Sequence, residues 1–174
     1  MTALCFPRPR HVLAAFAVAL AASASQAGGL DIHADADAKD VGLPIYPGAI
    51  KNSDSGRDSA GFSFGIWGQA FGFKLAVASY RSADSVDAVA AFYRDAMRPY
   101  GPVLDCTGVR ARSDRHHDDK NNQDKPVTCD DDSVEAGGRL FKVGINRAQR
   151  VFKVTPTPSG SKFELVHVEM HGSD

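Results

Sequence analysis

Residues 61–77 read GFSFGIWGQAFGFKLAV, and this stretch decides the fold class of the chain. Apolar residues occupy every second position before and after a break at Trp67 to Ala70. A period of two is typical of β-strands, and so short a break fits a hairpin, so the sequence predicts two antiparallel strands. The side chains that we expect on the buried face are Phe62, Phe64, Phe73 and Leu75.

A helix is predicted directly after the hairpin, from Asp84 to Arg98. Asp84 is a residue type that caps helix N-termini, and Pro99 and Gly101 end the pattern. The apolar residues between them recur at helical spacing, so we expect this helix to lie across one face of a sheet. These residues are Val86, Val89, Ala90, Tyr93 and Met97.

Three further strands are predicted in the last third of the chain, in 140–145, 151–154 and 163–170. The turns between them are short, so the strands should form an antiparallel meander. We therefore predict a single α+β domain over residues 43–174, with an antiparallel sheet of about five strands and one main helix packed across one face. His167, between two valines of the last strand, is expected to face solvent.

The N-terminus has the pattern of an export signal. Arg8 and Arg10 precede an apolar run over 12–22, and the small residues of Ser25-Gln26-Ala27 follow it. A membrane-spanning helix needs about 20 apolar residues, and this run is shorter. We predict a signal peptide over 1–27 that is removed to leave a soluble periplasmic or secreted protein with no membrane anchor.

The next fifteen residues, 28–42, alternate small and acidic residues without an apolar period. Such a segment buries too little surface to offset its ordering entropy, so we predict a disordered leader. Tyr46-Pro47-Gly48-Ala49 then predicts a type II turn, because proline and glycine suit its second and third positions.

Charge and cysteine content limit the possible functions. The chain has 20 basic and 21 acidic residues without a basic stripe, so we do not expect nucleic-acid binding. Cys106 and Cys129 remain after signal cleavage, and an even number in an exported chain favours a disulfide, with two free thiols as the alternative. This bond would tether a hydrophilic loop over 107–128.

That loop contains the densest group of potential metal ligands. The two histidines are adjacent and two aspartates follow them: His116, His117, Asp118 and Asp119. Their spacing is not that of a preformed metal site, so a solvated loop competes with weak divalent-metal binding. We expect no other cofactor.

Two aromatic residues are the candidate ligand-binding residues, Trp67 near the hairpin tip and Tyr46 in the turn. An exposed tryptophan ring offers contact area to a ligand at low entropic cost, although core packing is the alternative. No nucleophile motif or cofactor loop is present, so we name no catalytic residue and do not expect an enzyme.

The order of these motifs resembles that of a loose group of uncharacterised bacterial exported proteins. The shared features are the YPGA turn at 46–49, a glycine- and aromatic-rich hairpin, and a helix with Val89-x-x-Phe92-Tyr93. The resemblance implies an α+β domain of the bacterial envelope and no catalytic residue. We expect a non-catalytic domain that binds an envelope protein or a small ligand, and the alternative is a metal-binding protein that uses His116 and His117.

Overall fold

The computed structural model describes residues 28–52, 61–108, 123–129 and 133–172. Within them, eight strands form one antiparallel sheet. The strands are β1 (Gly29–His33), β2 (Ile50–Lys51), β3 (Gly61–Trp67), β4 (Phe71–Ser82), β5 (Leu104–Asp105), β6 (Arg139–Ile145), β7 (Ala148–Thr157) and β8 (Gly160–Gly172). The helices are α1 (Ala38–Val41) and α2 (Val86–Met97), and a 3-10 turn (Arg98–Tyr100) follows α2.

The sheet has the strand order β1-β3-β4-β8-β7-β6-β5, and β2 pairs with the end of β4. All five strands predicted from alternation are present, as β3, β4, β6, β7 and β8. The count of about five was nevertheless too low, because β1, β2 and β5 complete the sheet. Two of these three have only two residues, too few for a period of two to be visible.

The helix α2 begins and packs close to its predicted position. Ser85 rather than Asp84 is the N-cap, because its hydroxyl accepts a hydrogen bond from the backbone N–H of Ala88 at 3.3 Å. The helix contacts β6, β7 and β8. Its buried residues are Val89, Ala90, Tyr93 and Met97.

Stacked aromatic rings form the centre of the core between α2 and the sheet. Tyr93 stacks on Phe152 with ring centroids 4.7 Å apart, and Phe152 stacks on Phe141 at 5.6 Å. Phe163 extends the cluster to Tyr80, with centroids 5.5 Å apart. Buried aromatic side chains contribute large apolar areas, so this cluster dominates the packing of the covered face.

Residues 28–42 are ordered, which corrects the predicted disordered leader. Residues 29–33 pair with β3 along the sheet edge, and Asp37 caps α1 through a capping box with Asp40. Ala38 and Val41 are buried, and the Tyr80 hydroxyl accepts a hydrogen bond from the Ala38 N–H at 2.9 Å. Strand pairing, the capping box and the burial of Ala38 and Val41 hold this segment in place, so its order does not depend on an apolar period.

Candidate binding surfaces

Along the strands, the apolar residues change from one face of the sheet to the other, and the polar residues change in the opposite direction. The helix side is the face that α1 and α2 cover, and the open side is the opposite face. Near α2, the helix side carries Phe163 and Leu165 of β8, whereas the open side carries Glu164 paired with Lys153. Toward the other end of β8, the helix side carries His167 and Glu169, and the apolar residues lie on the open side.

This apolar half of the open side is named the uncovered patch. The strand register places thirteen apolar side chains on it, contributed by β1, β3, β4, β8 and β7. They are Leu30, Ile32, Phe62, Phe64, Ile66, Phe71, Phe73, Leu75, Val77, Val151, Val166, Val168 and Met170. In the part of the chain that the structure describes, both α-helices contact the opposite face.

The position of the hairpin aromatics corrects the sequence prediction. Phe62, Phe64, Phe73 and Leu75 do share one face, but it is the open side and not the buried side. The residues of β4 that face the helix side are small next to them, and Ala76 and Ala78 are fully buried there. The larger residues of the hairpin therefore face away from the core.

The uncovered patch exposes a large apolar area. Five of its side chains are between 40% and 65% exposed, and they are Leu30, Ile32, Phe62, Ile66 and Phe71. With roughly 150 to 250 Å² for a large apolar side chain, these five expose roughly 500 Å², and all thirteen expose on the order of 800 Å². A typical monomer has a largest patch of about 300 to 600 Å².

Trp67 lies at the hairpin end, as predicted, but on the helix side. Its indole packs over Gly72, where a Cβ atom would come within 2.7 Å of the ring. Its ring centroid lies 6.1 Å from that of His171, and the residue is 39% exposed. Trp67 and the uncovered patch therefore occupy opposite faces of the same hairpin.

Charged side chains surround Trp67 on the helix side. Glu169 and His171 lie 2.9 Å apart on β8, and Lys74 is the register partner of Glu169 on β4. Asp31 and His33 form a second pair on β1, at 2.7 Å. Two strands separate these pairs, so they do not converge on one point.

His167 is buried beneath α1, which corrects its predicted exposure to solvent. It is 6% exposed, and its Nδ1 atom has no hydrogen-bond partner among the described residues. Burial lowers the pKa of His167, and the Arg150 guanidinium lowers it further, whereas Glu169 acts in the opposite direction. Burial and Arg150 therefore favour the neutral form of the ring.

Tyr46 packs against the core instead of beside Trp67. Its ring makes edge contacts with Phe92 at 5.2 Å and with Phe163 at 6.3 Å. Its hydroxyl donates a hydrogen bond to Asp84 at 2.7 Å, and this bond raises the pKa of Tyr46. The turn follows the prediction, because Gly48 has a φ of 73° and the Ala49 N–H bonds to the Tyr46 carbonyl.

A cavity of about 320 Å³ lies near the β5–β6 edge. Two short segments, 102–104 and 126–127, form most of its lining. The disulfide between Cys106 and Cys129, whose Cα atoms are 5.3 Å apart, joins the continuations of these segments. Six of the lining residues are Tyr100, Val103, Leu104, Pro126, Val127 and Ile145.

The predicted metal ligands lie outside the described residues. His116, His117, Asp118 and Asp119 belong to 109–122, a range whose structure is not described. Within the described ranges, no group of three or more histidine, cysteine, aspartate or glutamate side chains is placed to hold a metal ion. In those same ranges, no helix is long and apolar enough to cross a membrane.

No family model matches this chain, and comparisons with curated proteins and with solved structures find no significant match. The resemblance to exported proteins with a YPGA turn therefore stays a prediction.

Sequence reasoning missed two of these features. The uncovered patch had a signal, because the apolar residues of the last strand change parity between Leu165 and Val166. That change means that the apolar residues move from one face of the strand to the other. The sequence has no comparable pattern that indicates the cavity, since the segments 102–104 and 126–127 that line it are more than twenty residues apart.

Proposed function

We propose that this chain is an exported, non-catalytic binding protein that docks a protein partner on the uncovered patch. The patch itself is the observation that carries the proposal. Large contiguous apolar surfaces that other parts of a chain leave exposed mark interaction sites. On the open side, no charged side chain interrupts the apolar residues of β3 between Phe62 and Ile66 or those of β4 between Phe71 and Val77, as is typical of the centre of an interface.

Export is supported by the disulfide and by the N-terminal sequence. A bond between Cys106 and Cys129 is compatible with an oxidising compartment outside the cytoplasm. Arg8 and Arg10 precede an apolar run over 12–22 that ends in the small residues of Ser25-Gln26-Ala27, which is the pattern of a cleaved export signal. N-terminal sequencing of the exported protein should find Gly28 or a close neighbour as the first residue.

Site-specific photocrosslinking tests the docking surface. A photoreactive phenylalanine analogue replaces Phe73 on the open side or, as the matched control, its neighbour Lys74 on the helix side. Irradiation of cells that export each variant should give a covalent protein adduct from position 73 and not from position 74. Equal adducts from both positions, or none from position 73, would contradict the proposal.

A second candidate function, small-ligand binding, is favoured by the cavity beside the disulfide. Its volume of about 320 Å³ lies at the lower end of the range of small-molecule sites, about 300 to 1,000 Å³. The walls are mainly apolar, and the Tyr100 hydroxyl is already bonded to the Gly42 carbonyl. A ligand held there would be small, uncharged and apolar.

A neutral naphthalene-type fluorophore tests this second candidate. Binding should be lost in Val103→Trp, which places an indole ring in the cavity, and retained in Val103→Ala. Binding that survives Val103→Trp would assign the probe to another surface.

A further inference from the structure

We propose that the partner seated on the uncovered patch is a second copy of this chain, packed sheet against sheet. The inference rests on the docking function proposed above and names its partner. Three properties of the patch carry it, which are its area, its charge and its shape.

The area matches the requirement of a stable dimer. The patch exposes on the order of 800 Å², and a standard protein–protein interface buries about 800 Å² on each partner. An isologous dimer uses the same patch twice, so one surface supplies both sides of the contact. No second apolar surface of complementary shape is then needed.

The charges around the patch also fit a copy of itself. The thirteen members are uncharged, and the charged groups that border them on the open side have both signs: Glu135 and Glu164 are acidic, and Lys142, Lys153 and Lys162 are basic. A partner with charges of one sign alone would meet groups of its own sign there. Two copies related by a two-fold axis can instead place opposite charges of this border against each other.

The shape of the patch is that of one half of a β-sandwich. It is a sheet face built from neighbouring antiparallel strands around Leu75, whose register partners are Phe64 and Val168. Two such faces pack about 10 Å apart at an angle of about 30°. In this arrangement α2 and Trp67 of both copies lie on the outside, because they belong to the helix side.

The experiment compares two adjacent residues on opposite faces of β1. Ile32 is 65% exposed on the open side, and His33 is exposed on the helix side. Ile32→Lys and His33→Lys therefore place the same charge one residue apart without opening the core. Leu75→Lys, at the centre of the patch and away from the sheet edges, is the third variant.

Sedimentation velocity of the protein without its signal peptide measures self-association over a concentration series. The wild type and His33→Lys should be dimers. Ile32→Lys should weaken the dimer by roughly 100-fold, because its charge would have to be desolvated in the interface, and Leu75→Lys should be a monomer. Circular dichroism and the fluorescence of Trp67, the one tryptophan of the chain, establish that each variant is folded.

A dimer that persists in Leu75→Lys would overturn the proposal, since the contact would then lie at the β1 edge or elsewhere. A monomeric wild type would overturn it as well. In that case the uncharged dye Nile red separates the two proposals. Dye binding that Leu75→Lys abolishes would keep the uncovered patch as a docking surface for a different protein, whereas dye binding unaffected by this change would remove both.

Discussion

Leu165 and Val168 lie three residues apart on β8, yet they belong to two different surfaces. Leu165 is fully buried on the helix side, and Val168 lies on the uncovered patch of the open side. Both come from the apolar part of the last strand, in which the alternation changes parity between Leu165 and Val166. The comparison teaches that alternation fixes which residues share a face, whereas the covering helix decides which face becomes the core.

The length of α2 explains where the change occurs. Twelve residues of helix span about 18 Å, which covers β6, β7 and the first half of β8. Beyond that point the short α1 is the helix that meets the helix side among the described residues, and the side chains of this side become polar at His167 and Glu169. The apolar residues of the strands move to the open side at the same place.

The largest expected effect is on the free energy of unfolding, which should fall more for a substitution in the buried aromatic cluster than for one in the uncovered patch. Phe152→Ala removes a ring that stacks on both Tyr93 and Phe141, so it should lower the free energy of unfolding by about 3 to 5 kcal/mol. Phe73→Ala on the patch should cost less than about 1.5 kcal/mol in the monomer. Urea unfolding followed by circular dichroism at low protein concentration measures both, and equal losses would mean that the patch is part of the core.

The longer strands and the main helix could be predicted from the sequence. The helix has an apolar period over several helical turns, and each of these strands has an alternation over more than two residues. The face of the hairpin could not be predicted, since Phe64 and Leu75 are more apolar than Ala76 and Ala78, which the helices bury. A single chain's pattern places large apolar residues inside by default. That rule fails on the open side of this sheet, where large apolar side chains such as Phe62 and Phe71 stay exposed.

The second prediction concerns the disulfide, which lies at the β5–β6 edge and far from the hairpin. Reduction, or the double change Cys106→Ala and Cys129→Ala, should lower the free energy of unfolding by about 3 kcal/mol. The sheet should stay folded, because β3, β4 and β8 lie outside the closed loop.

The native fluorescence of Trp67 should therefore not change on reduction, and thermal unfolding with and without reductant measures the loss of stability. A shift of the Trp67 emission before global unfolding would show that the disulfide also supports the hairpin end.

The third prediction concerns a substitution that weakens α2, the helix that covers one half of the sheet. Ser85→Ala removes the N-cap of α2 and should cost about 1 kcal/mol. Hydrogen exchange should become faster at the Tyr93 amide within α2 and stay unchanged at Leu75. Asp87→Asn is the control, because it removes an exposed ion pair with Arg139 in the same turn and leaves the Ser85 cap in place. Faster exchange at Leu75 would mean that the two halves unfold as one unit.

The candidate site was less accessible to sequence reasoning than the fold. Trp67 was placed correctly at the hairpin end, but its face depends on Gly72, whose missing side chain makes room for the indole. His167 was assigned to solvent because its neighbours are valines. The change of parity at Val166 reverses that assignment and buries the ring under α1.

The smallest expected effect is a pH dependence at His167, the residue where the helix side changes from apolar to polar. Burial and Arg150 lower its pKa from the ordinary value of 6.5, so the folded protein binds this proton less readily than the unfolded chain does. Stability is therefore complete above about pH 6.5 and falls as the pH drops from there toward the lowered pKa, because the unfolded state gains the proton first. His167→Gln, which cannot titrate, should flatten this part of the stability curve between pH 7 and pH 5. Urea unfolding at several pH values measures the slope, and an unchanged slope in His167→Gln would mean that the boundary between the two halves does not hold a neutral histidine.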